Sequence, residues 1–254
     1  MNTEIKKQLM MLELSDLASV IENQENDVSL SGLSYNERLE SLLCELITER
    51  QNRLIARLIK NAGLKYPNAG IDTIDCNARG ITKDMIINLT SMGFVSAATN
   101  LIITGATGAG KTYLSCVIGT EACRQSLRTY YIRMPDMLGH FGYHKDNLRE
   151  QVRYRKRLSN YKVLIIDEWL NYKINERESK FIYELIEARC GNNPTIFVSQ
   201  YGTEDWYDRL GGGTQADSIM DRIIHNSYKI PTTENNLRKL YDSKKAKAVI
   251  DSLS

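Results

Sequence analysis

The chain reads Gly-Ala-Thr-Gly-Ala-Gly-Lys-Thr at residues 105–112, which is a complete G-x-x-x-x-G-K-[ST] phosphate-binding loop. An apolar run at residues 101–103 precedes this loop, and a helix-like stretch at residues 113–124 follows it. This order predicts a strand that delivers the loop and a helix whose N-terminal N–H groups and dipole face phosphate. The alternative is a chance glycine-rich turn, and the flanking segments argue against it.

The residue types within the loop predict ATP together with Mg²⁺. Lys111 can reach the β- and γ-phosphates, and Thr112 can place its hydroxyl on the metal ion. The glycines permit backbone angles and close approaches that a Cβ would block. The residues predicted to contact the nucleotide are Gly105, Ala106, Thr107, Gly108, Ala109, Gly110, Lys111, Thr112 and Tyr113.

A second motif, an apolar run at residues 163–166 followed by Asp167 and Glu168, predicts the catalytic acids. Four consecutive apolar residues suit a central strand of a parallel sheet that is covered on both faces. Asp167 would then lie at the nucleotide crevice and hold Mg²⁺ together with Thr112, and Glu168 would activate the attacking water. Two solvated acids at a strand end are the alternative, which the upstream loop disfavours.

Bulk composition is that of an ordinary globular protein, with 42% hydrophobic and 25% charged residues in 254. The five cysteines are scattered without a C-x-x-C pair, which favours a reducing, cytoplasmic environment. We find no signal peptide and no apolar run of about 18 to 20 residues, so the sequence predicts no membrane association.

Strands and helices alternate after residue 81, which predicts an α/β fold with a parallel sheet flanked by helices. Further strands are predicted at residues 129–132, 160–166 and 194–200, and helices from residue 136 and at residues 179–189. Before this part, we predict a helix over residues 4–23 and a second helix that a Ser34/Glu37 capping box opens and Gly63 ends. The expected domains are a helical N-terminal domain (1–63), a linker (64–80) and the ATPase domain (81–254).

Charge is distributed unevenly although the net charge is only +2. Residues 1–36 carry six acids and two bases, whereas residues 128–162 carry nine bases and three acids. Arg50, Arg53, Arg57 and Lys60 recur within one sector of about 80° on the second predicted helix. Such a basic stripe can bind a DNA backbone, and a solvated helix face is the alternative.

Two further positions are predicted to act on the terminal phosphate. Ser199 or Gln200, at the end of the strand predicted at residues 194–200, can contact the γ-phosphate or the attacking water, and the sequence does not decide between them. Arg222 lies in a mostly apolar helix and needs an anionic partner. It either pairs locally with Asp217 or Asp221, or it reaches the γ-phosphate of a neighbouring subunit as an arginine finger.

These motifs, in this order, resemble the IstB-like AAA+ ATPases, which are transposition helper proteins related to DnaC/DnaI-type helicase loaders. The resemblance extends from about residue 9 to residue 239, and it is carried most specifically by Asp-Arg-Ile-Ile-His-Asn at residues 221–226 and by residues 33–39 and 49–53. It implies an AAA+ fold, a homo-oligomer with ATP bound between subunits, duplex DNA binding and a cognate transposase as partner.

Carried over by residue, the resemblance implies that Arg222 is the arginine finger and Arg238 a second phosphate sensor. The chain departs from the family's pattern in two places. Only 32 residues follow Arg222, which implies a reduced or absent C-terminal lid, and Trp169-Leu170 stands where the family often has Leu-Gly. The family's DNA-facing helix maps to a region whose basic residues are Arg133, Lys145, Arg149 and Arg153.

The sequence therefore predicts a DNA-dependent ATPase that oligomerises on duplex target DNA and recruits a transposase. A replicative helicase loader that acts on single-stranded DNA is the alternative within the same fold. A metabolic or signalling P-loop ATPase is a third hypothesis, which the basic segments disfavour. A transposase is disfavoured because the ATP site already accounts for the recognisable catalytic carboxylates, Asp167 and Glu168.

Overall fold

The computed structural model describes residues 1–27, 30, 32–232 and 237. The chain divides into two compact units, Met1–Arg57 and Leu58–Ser254. The predicted C-terminal lid and Arg238 lie outside the described residues. Within the described part, no helix is both long and apolar enough to cross a membrane.

Among its described residues, the first unit contains the α-helices α1 (Thr3–Met11), α2 (Ser15–Asn26) and α3 (Tyr35–Ala62), of which the last continues past Arg57. The prediction of one continuous helix over residues 4–23 is wrong, because the backbone turns at Glu13, where φ is 58°. The predicted capping box is confirmed, since Ser34 N–H donates to Glu37 Oε2 (2.8 Å) and Glu37 N–H donates to Ser34 Oγ (3.4 Å). Gly63 follows α3 with φ 64°, as predicted for a helix stop.

A five-stranded parallel sheet forms the centre of the second unit, and it confirms the predicted α/β class. Its strands are β1 (Asn100–Thr104), β2 (Thr129–Arg133), β3 (Val163–Asp167), β4 (Thr195–Ser199) and β5 (Ser227–Pro231). They lie in the order β2-β3-β4-β1-β5. β5 was not predicted from the sequence.

Helices cover both faces of this sheet. They are α4 (Cys76–Arg79), α5 (Lys83–Thr90), α6 (Gly93–Ser96), α7 (Lys111–Arg124), α8 (Met134–Tyr143), α9 (Leu148–Ser159), α10 (Glu176–Arg189), α11 (Trp206–Arg209) and α12 (Gly213–Ile224). Alternate strand residues serve the two cores, as the period of two in a strand requires. Ile166 and Phe197 pack with α8, α9, α10 and α12, whereas Ile165 and Val198 pack with α5 and α7.

Residues 64–80, predicted as a linker, contribute to the second core. Leu64 and Ala69 are buried there, and the Leu64 side chain contacts α7 at Gly119. A 3-10 turn at Ile71–Thr73 and helix α4 complete the segment. This stretch is therefore packed beside the helix that follows the phosphate-binding loop.

The strand order brings the predicted site residues together at one edge of the sheet. β4 lies between β1, which leads into the loop, and β3, which ends in Asp167. The register aligns Thr104 with Ser199 and Arg133 with Asp167. Because all five strands are parallel, their carboxyl ends form one crevice, where open α/β sheets bind ligands.

Candidate ATP-binding site

The loop at residues 105–112 joins β1 to α7 and has the backbone that phosphate binding requires. Gly110 is the N-cap of α7 with φ 81°, and glycine has no side chain that could satisfy the first N–H groups of the helix. Gly105 has φ 147°, and a Cβ there would lie 2.1 Å from Thr232 Oγ1. Glycine is thus required at Gly105 both by the backbone angle and by the close approach of the segment after β5.

Lys111 is bonded within the loop that it belongs to. Its Nζ donates to the carbonyl oxygens of Gly105 (2.7 Å) and Ala106 (2.8 Å). This cation therefore lies against the backbone of the loop, within reach of a phosphate that the loop would bind.

Thr112 and Asp167 are brought together as the sequence predicts. Thr112 Oγ1 donates to Asp167 Oδ2 (2.8 Å), and the backbone N–H of Glu168 donates to Asp167 Oδ1 (2.8 Å). Asp167 is only 3% exposed. A hydroxyl and a carboxylate are the hard oxygen ligands that Mg²⁺ prefers, so the two side chains fit the ion that accompanies ATP.

Glu168 adopts a left-handed backbone with φ 56°, which is uncommon outside glycine. Hydrogen bonds on both sides maintain this conformation, since Glu168 N–H binds Asp167 and Trp169 N–H donates to Val198 O (2.8 Å). Strained residues of this kind cluster at functional sites, at a cost of about 1–3 kcal/mol. A third of the Glu168 side chain is exposed (33%).

Strand β2 supplies two site residues that the sequence analysis did not assign to the ATP site. Tyr131 is buried and donates its hydroxyl to Asp167 Oδ2 (2.7 Å). Burial and the neighbouring Asp167 charge raise the pKa of Tyr131 well above its usual value, so the hydroxyl stays a neutral donor. Arg133 binds Asp136 through two hydrogen bonds (2.8 and 2.9 Å) and lies 3.7 Å from Glu168. Asp167 and Glu168 are thus each contacted by a side chain from β2.

We expect Tyr131→Phe to lower both the stability and the metal affinity of the protein. The change removes a buried hydrogen bond to a charged acceptor, which contributes about 1.5–3 kcal/mol, and it frees the Asp167 carboxylate to rotate. Urea unfolding measures the first effect, and Mn²⁺ titration followed by electron paramagnetic resonance in the presence of ATP measures the second. Tyr130→Phe on the same strand is the matched control, because the Tyr130 ring stacks on Tyr161. Equal metal affinities of the two variants would contradict the prediction.

The structure separates the two candidates at the end of β4. Ser199 is buried, its Oγ donates to Trp169 O (2.8 Å), and it accepts the backbone N–H of Tyr201 (3.1 Å). Gln200 is exposed, and its Oε1 accepts a hydrogen bond from Thr107 Oγ1 (3.0 Å) in the loop. Gln200 is therefore the residue that lies at the loop.

Trp169 and Leu170, which stand where the resemblance expects Leu-Gly, occupy a demanding turn. Leu170 has φ 53°, a conformation that glycine adopts without strain, yet its side chain is fully buried. The Trp169 ring packs at steep angles against Phe197 (4.7 Å) and Trp206 (5.8 Å). Burying a leucine side chain contributes about 1.5–3 kcal/mol, which offsets the strain.

Arg222 lies on α12 and contacts α10. Its guanidinium donates to Ser218 O (3.1 Å) and lies 3.4 Å from both the Tyr183 hydroxyl and Glu187 Oε1. Among the described residues, none of its hydrogen-bond partners belongs to the loop of its own chain. Its predicted local partners, Asp217 and Asp221, do not form an ion pair with it in this part of the chain.

The residues predicted to bind DNA are exposed, and several of them pair with acids on their own helix or a neighbouring one. In the first unit, Arg50 binds Asp16 (2.6 and 3.0 Å) and Arg53 binds Glu49 (2.8 Å). The Arg50 guanidinium lowers the pKa of Asp16 to about 2. In the second unit, Arg153 binds Glu150 (2.9 Å). Arg57, Lys145 and Arg149 are exposed, and they lie on α3, before α9 and on α9 respectively.

Comparison with known proteins agrees with this geometry. The fold and the loop define a P-loop ATP-binding protein of the AAA+ class. The family model described as IstB-like ATP binding protein matches residues 7–246. The chain therefore belongs to the IstB-like ATP-binding protein family.

Two relatives show the extent of the similarity. An ATP-binding protein of insertion sequence IS1162 from Pseudomonas fluorescens is 34% identical over 204 residues, which cover 76% of this chain and 84% of the relative. The insertion sequence ATP-binding protein y4pL from Sinorhizobium fredii is 29% identical over 222 residues, which cover 87% and 89%.

Solved structures show the same fold at lower identity. The DnaC helicase loader has a TM-score of 0.58 at 18% identity, over 66% of this chain and 98% of that chain. DnaI has a TM-score of 0.54 at 22% identity, over 65% and 92%.

Proposed function

We propose that this protein is a Mg²⁺-dependent ATPase that assembles on duplex DNA in its ATP-bound state and recruits the transposase of its insertion sequence. The observation that carries the proposal is the Thr112–Asp167 hydrogen bond of 2.8 Å with Glu168 directly beside it, in a chain of the insertion-sequence family. A cytoplasmic location agrees with this role and stays a prediction.

The loop and the acids divide the work of ATP hydrolysis. Lys111 would exchange its two loop carbonyls for the β- and γ-phosphates, and Thr112 and Asp167 would hold Mg²⁺, whose charge would offset that of the phosphates. Glu168 orients and deprotonates the attacking water. Gln200, bonded to Thr107, is the polar group that senses the terminal phosphate, whereas the hydrogen bonds of Ser199 join the segment after β3 to the segment after β4.

Assembly brings Arg222 to the γ-phosphate of the neighbouring subunit. Support comes from its position, because its side chain is held by one hydrogen bond to Ser218 O (3.1 Å) and by weak bonds to the Tyr183 hydroxyl and Glu187, both at 3.4 Å. A charge-assisted bond to phosphate is shorter and stronger than these contacts, so ATP binding favours the subunit interface. ATP hydrolysis then loosens the assembly.

DNA binding is assigned to basic side chains on α3, α9 and the segment between α8 and α9. Phosphate contacts release counterions, so binding is expected to be strongly salt-dependent and only weakly sequence-dependent. Four of the predicted DNA-binding arginines each pair with an acid of the same chain: Arg50, Arg53, Arg133 and Arg153. The principal candidates for phosphate contacts are therefore Arg57, Lys145 and Arg149.

Sedimentation with duplex or single-stranded DNA, in ATP or in ADP, tests the proposal. We expect large assemblies on duplex DNA in ATP only, and their loss in Lys111→Ala, which removes the phosphate-binding ammonium. Preference for single strands would instead support a helicase loader, the function of the DnaC neighbour. If neither the ATPase rate nor the sedimentation of the protein changed when DNA was added, both the transposition function and the helicase-loader function would be refuted.

A further inference from the structure

Arg79, the last residue of α4, is a buried cation with an unused hydrogen-bond donor. Only 4% of the residue is exposed, and Nη1 donates to Asp75 O (2.9 Å). The Nε–H group has no hydrogen-bond partner among the described residues. A buried donor left without an acceptor costs about 1–3 kcal/mol, and such groups are rare enough to require an explanation.

The guanidinium of Arg79 lies against the phosphate-binding loop. A Cβ built on Gly110 would lie 2.6 Å from Arg79 Nε and 3.2 Å from its Cζ. On another side, Cζ lies 5.1 Å from the centre of the Tyr113 ring, a cation–π distance. Gly110 and Tyr113 flank Lys111 and Thr112, so the unused donor is next to the nucleotide-binding residues.

The surroundings of Arg79 are aromatic and apolar. Leu237 is buried, its N–H donates to Gly108 O (3.0 Å), and its Cδ1 would lie 3.1 Å from a Cβ on Gly110. The Tyr113 hydroxyl is 2.5 Å from Thr73 Oγ1, and its ring centre is 5.6 Å from that of Tyr66. Mostly apolar walls with a few placed polar groups are typical of small-molecule sites, and a purine nucleoside offers such walls flat faces and unpaired acceptors.

The hydrolytic residues contact other positions of the loop than Arg79 does. Thr112 faces Asp167, and Thr107 faces Gln200, so those contacts mark where the terminal phosphate reacts. Among the described residues, neither Arg79 nor Tyr113 hydrogen-bonds to Asp167, Glu168 or Gln200. A triphosphate bound along the loop therefore directs its nucleoside toward Arg79.

We infer that Arg79 is a nucleoside-contacting residue, and that its Nε–H donates to a purine ring nitrogen or a ribose oxygen of the bound nucleotide. The Tyr113 ring positions the guanidinium group of Arg79 by the cation–π contact. The inference rests on the ATP binding of the family and adds a residue that discriminates a nucleotide from a bare polyphosphate. It also gives residues 64–80 a role in ligand binding.

Calorimetric titration of Arg79→Lys with adenylyl imidodiphosphate and with inorganic tripolyphosphate tests the inference. Lysine keeps the charge and removes the Nε–H, so we expect nucleotide affinity to fall about tenfold or more with tripolyphosphate affinity unchanged. Equal losses for both ligands would show a phosphate contact, and no loss for either would show a structural role; both results overturn the inference. Lys111→Ala should weaken both ligands, so failure of the loop itself is distinguishable.

A measurement on the unchanged protein guards against misfolding of the variant. The Nε–H resonance of Arg79 in a ¹⁵N spectrum is assigned by its disappearance in Arg79→Lys. We expect this resonance to shift when adenylyl imidodiphosphate is added and to stay in place with tripolyphosphate. A resonance that responds identically to the two ligands overturns the inference.

Discussion

Glu168→Gln is expected to bind ATP with unchanged affinity and to hydrolyse it about 10²–10⁴ times more slowly, the usual contribution of a general base. The amide keeps the shape of the side chain and cannot accept the proton of the attacking water. The backbone bond from Glu168 N–H to Asp167 Oδ1 does not involve the side chain, so the metal-binding carboxylate keeps its orientation. Assemblies on duplex DNA should consequently persist in ATP long after those of the unaltered protein dissociate.

Two assays separate catalysis from assembly in this variant. Phosphate release measures turnover, and sedimentation over time measures the lifetime of the DNA-bound assemblies. Glu176→Gln makes the same chemical change at an exposed position in the first turn of α10 and should behave as the unaltered protein. Disassembly of Glu168→Gln at the normal rate would show that hydrolysis does not time the assembly.

Arg189→Met is expected to destabilise the second unit by about 3–5 kcal/mol, a large share of the about 5–15 kcal/mol that separates folded and unfolded states. Arg189 is 2% exposed. Its donors bind one side chain and several carbonyls: Thr195 Oγ1 (2.9 Å), Leu158 O (2.9 Å), Ser159 O (3.2 Å), Tyr161 O (2.8 Å) and Pro194 O (2.5 Å).

The size of the effect follows from opposing contributions. Burial lowers the pKa of Arg189 to about 9, so the side chain is still charged at neutral pH and its burial is costly. Methionine removes that cost and gains about 1.5–3 kcal/mol of apolar burial. However, it leaves several buried acceptors unpaired at about 1–3 kcal/mol each, including the last carbonyls of α9. We expect the loss from these unpaired acceptors to exceed the gain from methionine, so the variant is less stable.

Urea unfolding followed by circular dichroism measures this difference. Arg124→Met is the matched control, because Arg124 is half-exposed at the end of α7 and binds Glu121 on the same helix. We expect the control to change stability by no more than about 0.5 kcal/mol. If Arg189→Met and that control unfold at the same urea concentration, the hydrogen bonds between Arg189 and its carbonyl partners contribute nothing to the stability of the fold.

The sequence predicts those parts of the fold whose signal is local. Loop residues 105–112, the run that ends in Asp167 and the Ser34/Glu37 capping box each carry their signal within a few residues, and the structure contains all three. Strand β5 was not predicted because it is an edge strand in which only Ile230 is buried, so its sequence contains no apolar run. The break between α1 and α2 at Glu13 was not predicted, because apolar residues occur on both sides of it in a pattern that suits one helix.

Residues that act through distant partners could not be predicted. Tyr131 reads as one more β-strand residue until β2 aligns with β3 and places its hydroxyl on Asp167. Arg79 and Arg189 read as surface arginines, because nothing near them in the sequence reveals their burial. Ser199 and Gln200 are both polar residues at a strand end, and only their burial and hydrogen bonds in the folded chain distinguish them. The folded chain, and not the local pattern, determines these roles.

The junction between β2 and α8 contains no spare residue, because Arg133 ends the strand and is also the N-cap of the helix. A force that pulls on α8 is therefore transmitted to Arg133 and Tyr131 without a flexible joint that could absorb it. Those two side chains touch Glu168 and Asp167. If α9 and the segment before it bind DNA as proposed, we expect any displacement of α8 in the DNA complex to move Arg133 and Tyr131, and through them Glu168 and Asp167.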